Sequence, residues 1–171
     1  SNTDCDRIYR PGGSGDYLFL LLKTPMRFRL NGKLLVSREN ACILYTPGVC
    51  QDYQAVRKFR NSYMHFSTDL HLEETYRIPA NQLFYPQNVS GLDDLLGEIQ
   101  REYLAKETYY QERIRLLTEN LFLLAARQLQ SPASALSQDA TLLQSFQALR
   151  LEMLSSCQED WPASRLCARS N

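Results

Sequence analysis

Met26-Arg27-Phe28-Arg29-Leu30-Asn31-Gly32-Lys33-Leu34-Leu35-Val36-Ser37 is the stretch that decides the fold of the N-terminal half. Met26, Phe28 and Leu30 alternate with Arg27 and Arg29, the period-two pattern of a strand with one buried and one solvated face. Asn31-Gly32 supplies two residues that tolerate positive φ, which a two-residue hairpin turn needs, so Lys33 onward is predicted to pair back.

Working outward, Tyr17-Leu18-Phe19-Leu20-Leu21-Leu22 is a continuous apolar run of strand length, suited to a strand covered on both faces. Residues 41–45 form another short strand, ended by Thr46-Pro47-Gly48, whose proline and glycine preset a turn. Residues 51–56 and 63–66 follow as strands around Arg57-Lys58-Phe59-Arg60, and Ile78-Pro79-Ala80-Asn81 with Tyr85-Pro86 marks the exit from the sheet. Short strands about ten residues apart, with turn residues between them, favour a barrel or a double-sheet jelly roll.

From Leu92 the period changes to that of a helix. Leu92, Leu95, Leu96, Ile99, Tyr103 and Leu104 make one stripe opposite Asp93, Asp94, Glu98, Arg101 and Glu102, with Ser90 as N-cap. A polar turn at Lys106-Glu107-Thr108 leads to a second helix, from Tyr109 or Tyr110 to about Leu129, and the two are expected to pack as an antiparallel hairpin. The second helix carries leucines on several faces, so both its sides call for cover: the barrel on one, and on the other either a second subunit or the chain's own core. Residues 131–139 are rich in small and breaker residues and read as a linker. The chain is therefore expected to be α+β, with a sheet domain at 1–88, a helical hairpin at 89–130, a linker at 131–141 and a short helical fragment at 142–171.

Composition narrows the class. The 171 residues are 44% hydrophobic, enough for one good core, and nineteen basic against nineteen acidic residues leave no charge footprint for a polyanion. The apolar run at 17–22 is too short to span a bilayer, and no basic-then-apolar signal segment opens the chain, so a cytoplasmic protein without membrane partners is expected. Cys5, Cys42, Cys50, Cys157 and Cys167 are an odd, dispersed set, which suggests reduced thiols rather than a disulfide framework or a zinc site. No nucleophile elbow, phosphate-binding loop or dinucleotide fingerprint occurs, and Gly12-Gly13-Ser14-Gly15 precedes a strand rather than opening a helix. No catalytic residue, metal or cofactor is therefore expected.

Arg10-Pro11-Gly12-Gly13, Tyr17, the Asn31-Gly32 turn, Ile43-Leu44-Tyr45-Thr46-Pro47-Gly48, Tyr53 and the strand at 63–66 together resemble the cupin-like sensor domain of AraC-type transcription regulators. Near the end of the chain Phe146, Leu149, Arg150 and Leu154, then Trp161-Pro162 and Arg165-Leu166-Cys167-Ala168, resemble the start of that family's helix-turn-helix domain. Where the family has Pro-Gly this chain has Glu39-Asn40, and asparagine also tolerates left-handed geometry.

The resemblance implies a ligand-sensing β-barrel, a dimerisation hairpin, and DNA binding only through the full-length protein. It implies a small, sugar-like effector held by Arg10, Tyr53, Asn61, Tyr63 and His65, where a guanidinium and hydroxyls supply hydrogen bonds and an aromatic face covers a sugar ring. Residue alternation agrees, since Asn61, Tyr63 and His65 share one face of a strand and Met64 and Phe66 the other. A homodimer through Ile114, Leu117, Leu121 and Leu124 is expected. The alternative is a cupin metalloenzyme with an atypical site drawn from Cys50, Asp52 and His65, and a third reading is a barrel filled by its own side chains.

Overall fold

The computed structural model describes residues 7–129, so the expected linker and helix-turn-helix start lie outside the described residues. In chain order the elements are β1 (Arg7–Arg10), β2 (Tyr17–Leu22), β3 (Met26–Leu30), β4 (Lys33–Val36), β5 (Cys42–Tyr45), β6 (Gln51–Ala55), β7 (Asn61–Phe66), α1 (Leu72–Thr75), β8 (Leu83–Phe84), α2 (Ser90–Ala105) and α3 (Tyr110–Leu129). The fold is α+β. Its strands form two four-stranded antiparallel sheets, ordered β1-β6-β3-β4 and β7-β2-β5-β8, with no ladder joining one to the other among the described residues. Of the expected barrel or double-sheet jelly roll, the described residues show the two antiparallel sheets and no closed barrel.

The hairpin at Asn31-Gly32 forms as its residues require. Asn31 and Gly32 take φ of 52° and 74°, and Leu30 lies opposite Lys33. Beyond β4 the pairing continues through Ser37, whose N–H donates to the Met26 carbonyl at 2.8 Å and whose hydroxyl accepts from the Met26 N–H at 3.0 Å. Asn40, at φ 66°, makes the left-handed turn that the Glu39-Asn40 pair was expected to tolerate.

Two cores divide the molecule into three layers. Leu18, Leu20 and Leu22 of β2 pack with Met26, Phe28, Leu30, Ile43, Tyr45 and Tyr53 between the sheets. Phe19 and Leu21 face the other way, into a core with Phe84, Leu92, Leu96, Ile99, Leu121 and Phe122 that seats the helices on the second sheet. All six residues of β2 are thus buried, as a run without alternation requires. Each large apolar side chain buried this way contributes roughly 2 kcal/mol.

Several local expectations change. Arg10 ends a strand that the sequence pattern did not mark, with Arg7, Ile8, Tyr9 and Arg10 paired to Gln54, Tyr53, Asp52 and Gln51. Ser90 is the first residue of α2 and not its N-cap, which is Val89 with no side-chain cap bond; the Asn88 side-chain oxygen accepts from the Ser90 N–H at 3.1 Å and hydroxyl at 2.6 Å just outside the helix. Lys106 closes α2 in the left-handed region, its N–H donating to the Glu102 carbonyl. Arg113 of α3 then reaches Glu102 at 2.7 Å and Glu98 at 3.7 Å, while Gly91 lies beside Leu124, so the start of each helix meets the end of the other.

Candidate functional site

Register decides which side chains face the space between the sheets. On the first sheet Ile8 and Phe28 both lie opposite Tyr53, and Arg10 lies opposite Gln51. On the second, Asn61, Tyr63 and His65 lie opposite Leu22, Leu20 and Leu18, whose side chains form the intersheet core. The five expected ligand contacts therefore share one side of their sheets. β1 and β7 are both edge strands, so their inner faces border an opening.

At this edge the polar groups connect into a chain. Arg10 Nη1 donates to Gln51 Oε1 at 3.2 Å, and Gln51 Nε2 donates to Ser14 Oγ at 3.1 Å. The Ser14 hydroxyl donates to the Asp16 carbonyl at 3.4 Å, and the Asp16 carboxylate lies 3.0 Å from His65 Nδ1. Burial tends to raise the Asp16 pKa, but the hydrogen bonds from Ser14 and His65 outweigh it and hold the carboxyl below its ordinary value. Gly13 lets the intervening loop close down. It takes φ +72°, and a Cβ there would stand 2.7 Å from the Val49 carbonyl oxygen.

Behind this rim stands an aromatic stack. Tyr53, 5% exposed, lies 5.6 Å from Phe28, 6.2 Å from Tyr45 and 6.1 Å from Phe59 between ring centres. Burial raises the Tyr53 pKa, with Arg10 acting to lower it. The Tyr45 hydroxyl is wholly buried and has no hydrogen-bond partner among the described residues. A polar atom left so costs about 1–3 kcal/mol. Sequence reading missed it, because Cys42-Ile43-Leu44-Tyr45 is buried on both faces and carries no polar alternation.

On the far side of β7, a groove of about 700 Å³ runs between that strand and α2 with α3. Asn61, Tyr63 and His65 line it together with Leu96, Tyr103 and Ile114, while Arg10 and Tyr53 do not. Its charged groups are paired: Asp93 accepts from Ser62 at 2.6 Å and meets Lys23 at 2.9 Å. The Ser62 bond, helped by Lys23, outweighs burial and lowers the Asp93 pKa.

The residues of the metal alternative are not brought together. Asp52 points to the outer face of the first sheet, held by Arg7 through two bonds of 2.8 and 2.6 Å and by Arg29 at 3.7 Å. Cys50 is disulfide-bonded, which corrects the expectation of reduced thiols at that position, whereas Cys42 is a free buried thiol. His65 pairs with Asp16. Among the described residues no group of three or more His, Cys, Asp or Glu side chains could hold a metal ion.

The four residues of the expected dimer contact differ in exposure. Leu121 is 0% exposed in the core against the sheet and has no surface to offer a second subunit, while Ile114, Leu117 and Leu124 pack partly against that same core. The exposed apolar positions of α3 are Leu116 (56%) and Leu123 (44%). The notion of leucines on several faces was sound, but one-dimensional periodicity could not say which face met the sheet.

Compared with protein-family models and with curated proteins, the chain matches none. Among the described residues no helix is long and apolar enough to cross a membrane.

Proposed function

We propose that the chain is the effector-sensing and dimerisation part of an AraC-type transcription regulator, which meets DNA only in its full-length form. The observation that carries the reading is the polar chain from Arg10 through Gln51, Ser14 and Asp16 to His65 along one edge of the pair of sheets, with Tyr53 two residues from Gln51 on β6 and Asn61 and Tyr63 on the same face of β7 as His65. Hydrogen-bond donors, acceptors and aromatic faces in one place suit a small polyol or sugar-like effector, with binding rather than catalysis as the task. Effector would favour one arrangement of the edge over another and so shift the population that presents the helices. Pairing of two copies through the Leu116 and Leu123 face of α3 would set the spacing of the attached DNA modules.

A second reading, a scaffold filled by its own side chains, is favoured by the Phe28-Tyr53-Phe59 stack. Thermal melting against sugars, sugar acids, polyols and aromatic metabolites separates the two. A ligand at about 100 times its Kd raises stability by about 2.7 kcal/mol. A saturable rise that is lost in Arg10→Ala and weakened in Tyr53→Phe supports the sensor, whereas no rise with any compound supports the scaffold.

A further inference from the structure

Among the described residues β7 is an edge strand whose outer side offers hydrogen-bonding groups at a fixed repeat. Lys23 N–H donates to the Arg60 carbonyl at 2.9 Å, one step beyond the Leu22–Asn61 pair. Leu22 instead bonds the β5 side, its N–H donating to the Ala41 carbonyl and its carbonyl accepting from the Asn40 N–H. In an antiparallel ladder bonded and non-bonded pairs alternate, so Ser62, Met64 and Phe66 bond β2 while Asn61, Tyr63 and His65 aim their N–H and C=O groups outward. Among the described residues these outward groups meet no backbone partner.

Three such pairs lie two residues apart, a spacing of about 6.8 Å that another extended polypeptide reproduces. They open into the 700 Å³ groove, where Tyr63 and Tyr103 stand 63% and 60% exposed. The wall toward the helices carries Met64, Leu96 and Ile114 with Gln100 and Thr118 among them, and the other is polar and aromatic, with Asn61, Tyr63 and His65. Lys23 and Asp93 are already paired at 2.9 Å, and the Asp16 carboxylate is engaged by His65 Nδ1 at 3.0 Å, so a charged segment would meet no free counterion there.

We infer that the β7 groove binds an extended, uncharged peptide segment of a partner protein as an added strand, with apolar side chains at alternate positions toward α2 and α3 and hydroxyl or amide side chains between them. A second copy would have to bring its own β7 past the same helical wall, so a strand without that wall is the fitting occupant. This goes beyond effector sensing and does not rest on it.

The test uses fluorescein-labelled acetyl-Thr-Val-Thr-Val-Thr-Val-amide and fluorescence anisotropy. Residues paired with Asn61, Tyr63 and His65 place their side chains on the Tyr63 side, so the threonines should carry the bonds to β7 and the valines should face the helices. N-methylation of the threonines is expected to weaken binding at least about tenfold and N-methylation of the valines to leave it nearly unchanged. A Cβ at Gly97 meets only the Arg101 guanidinium at 3.5 Å, so Gly97→Leu should fill the groove, keep the melting temperature and abolish binding. Amide exchange read by NMR should slow at Asn61, Tyr63 and His65 on binding. Absence of saturable binding, equal affinity of the two N-methyl isomers, or unchanged exchange at those three amides would each overturn the inference.

Discussion

At the scale of single residues, the Tyr45 hydroxyl and Gly13 give opposite predictions. Tyr45→Phe removes a buried polar atom that has no partner, so it should leave the protein equally stable or more stable by about 1 kcal/mol in denaturant titration. A loss above that size would mean that the hydroxyl is satisfied in solution. Gly13→Ala puts a Cβ against the Val49 carbonyl at positive φ, and should cost about 2 kcal/mol or more. A midpoint within error of the parent would refute that tight fit. Which face Asn61, Tyr63 and His65 share was legible in the sequence, because alternation alone determines it. That Tyr45 is unpartnered, or that Asp52 turns outward to Arg7, was not legible, because both depend on strands brought together from distant positions.

At the scale of elements, α3 separates burial from association. Leu121→Asp places a charge in a fully buried site and should unfold the domain, seen as loss of the cooperative melting transition. Leu116→Asp with Leu123→Asp changes exposed positions seven residues apart, and should leave the melting curve close to the parent while halving the mass in sedimentation. A parent that already sediments as a monomer would remove this face from the dimer reading. The extents of α2, α3 and the Asn31-Gly32 hairpin were readable because period and turn chemistry are local. α1 and β8 were not, since four and two residues are too few to show a period.

At the scale of the whole molecule, Asp16 and Asp93 tie β7 to its two neighbours, the β1–β2 loop and α2. Both carboxyls have lowered pKa values in the folded state. Their contribution is therefore complete above the unfolded value of about 4 and is lost as pH falls through the folded values. Melting temperature should be level from about pH 7 to 5 with respect to these groups and fall below about pH 4, and Asp16→Asn with Asp93→Asn should flatten that fall. An acid limb of unchanged slope in the double variant would assign it to other carboxylates. The two-sheet architecture was legible from strand count and spacing, whereas the failure of the sheets to close was not, because closure depends on pairing between edges that the sequence does not mark. β2 stands between the two cores with side chains of neighbouring residues gripping opposite layers. Close-packed interiors yield little to compression, so a displacement of Leu18 or Leu20 by anything wedged between the sheets is passed on through Phe19 and Leu21 to Phe122. On this packing the strand would act as a stiff diaphragm, so that a push on one side of it would be felt by the helices on the other.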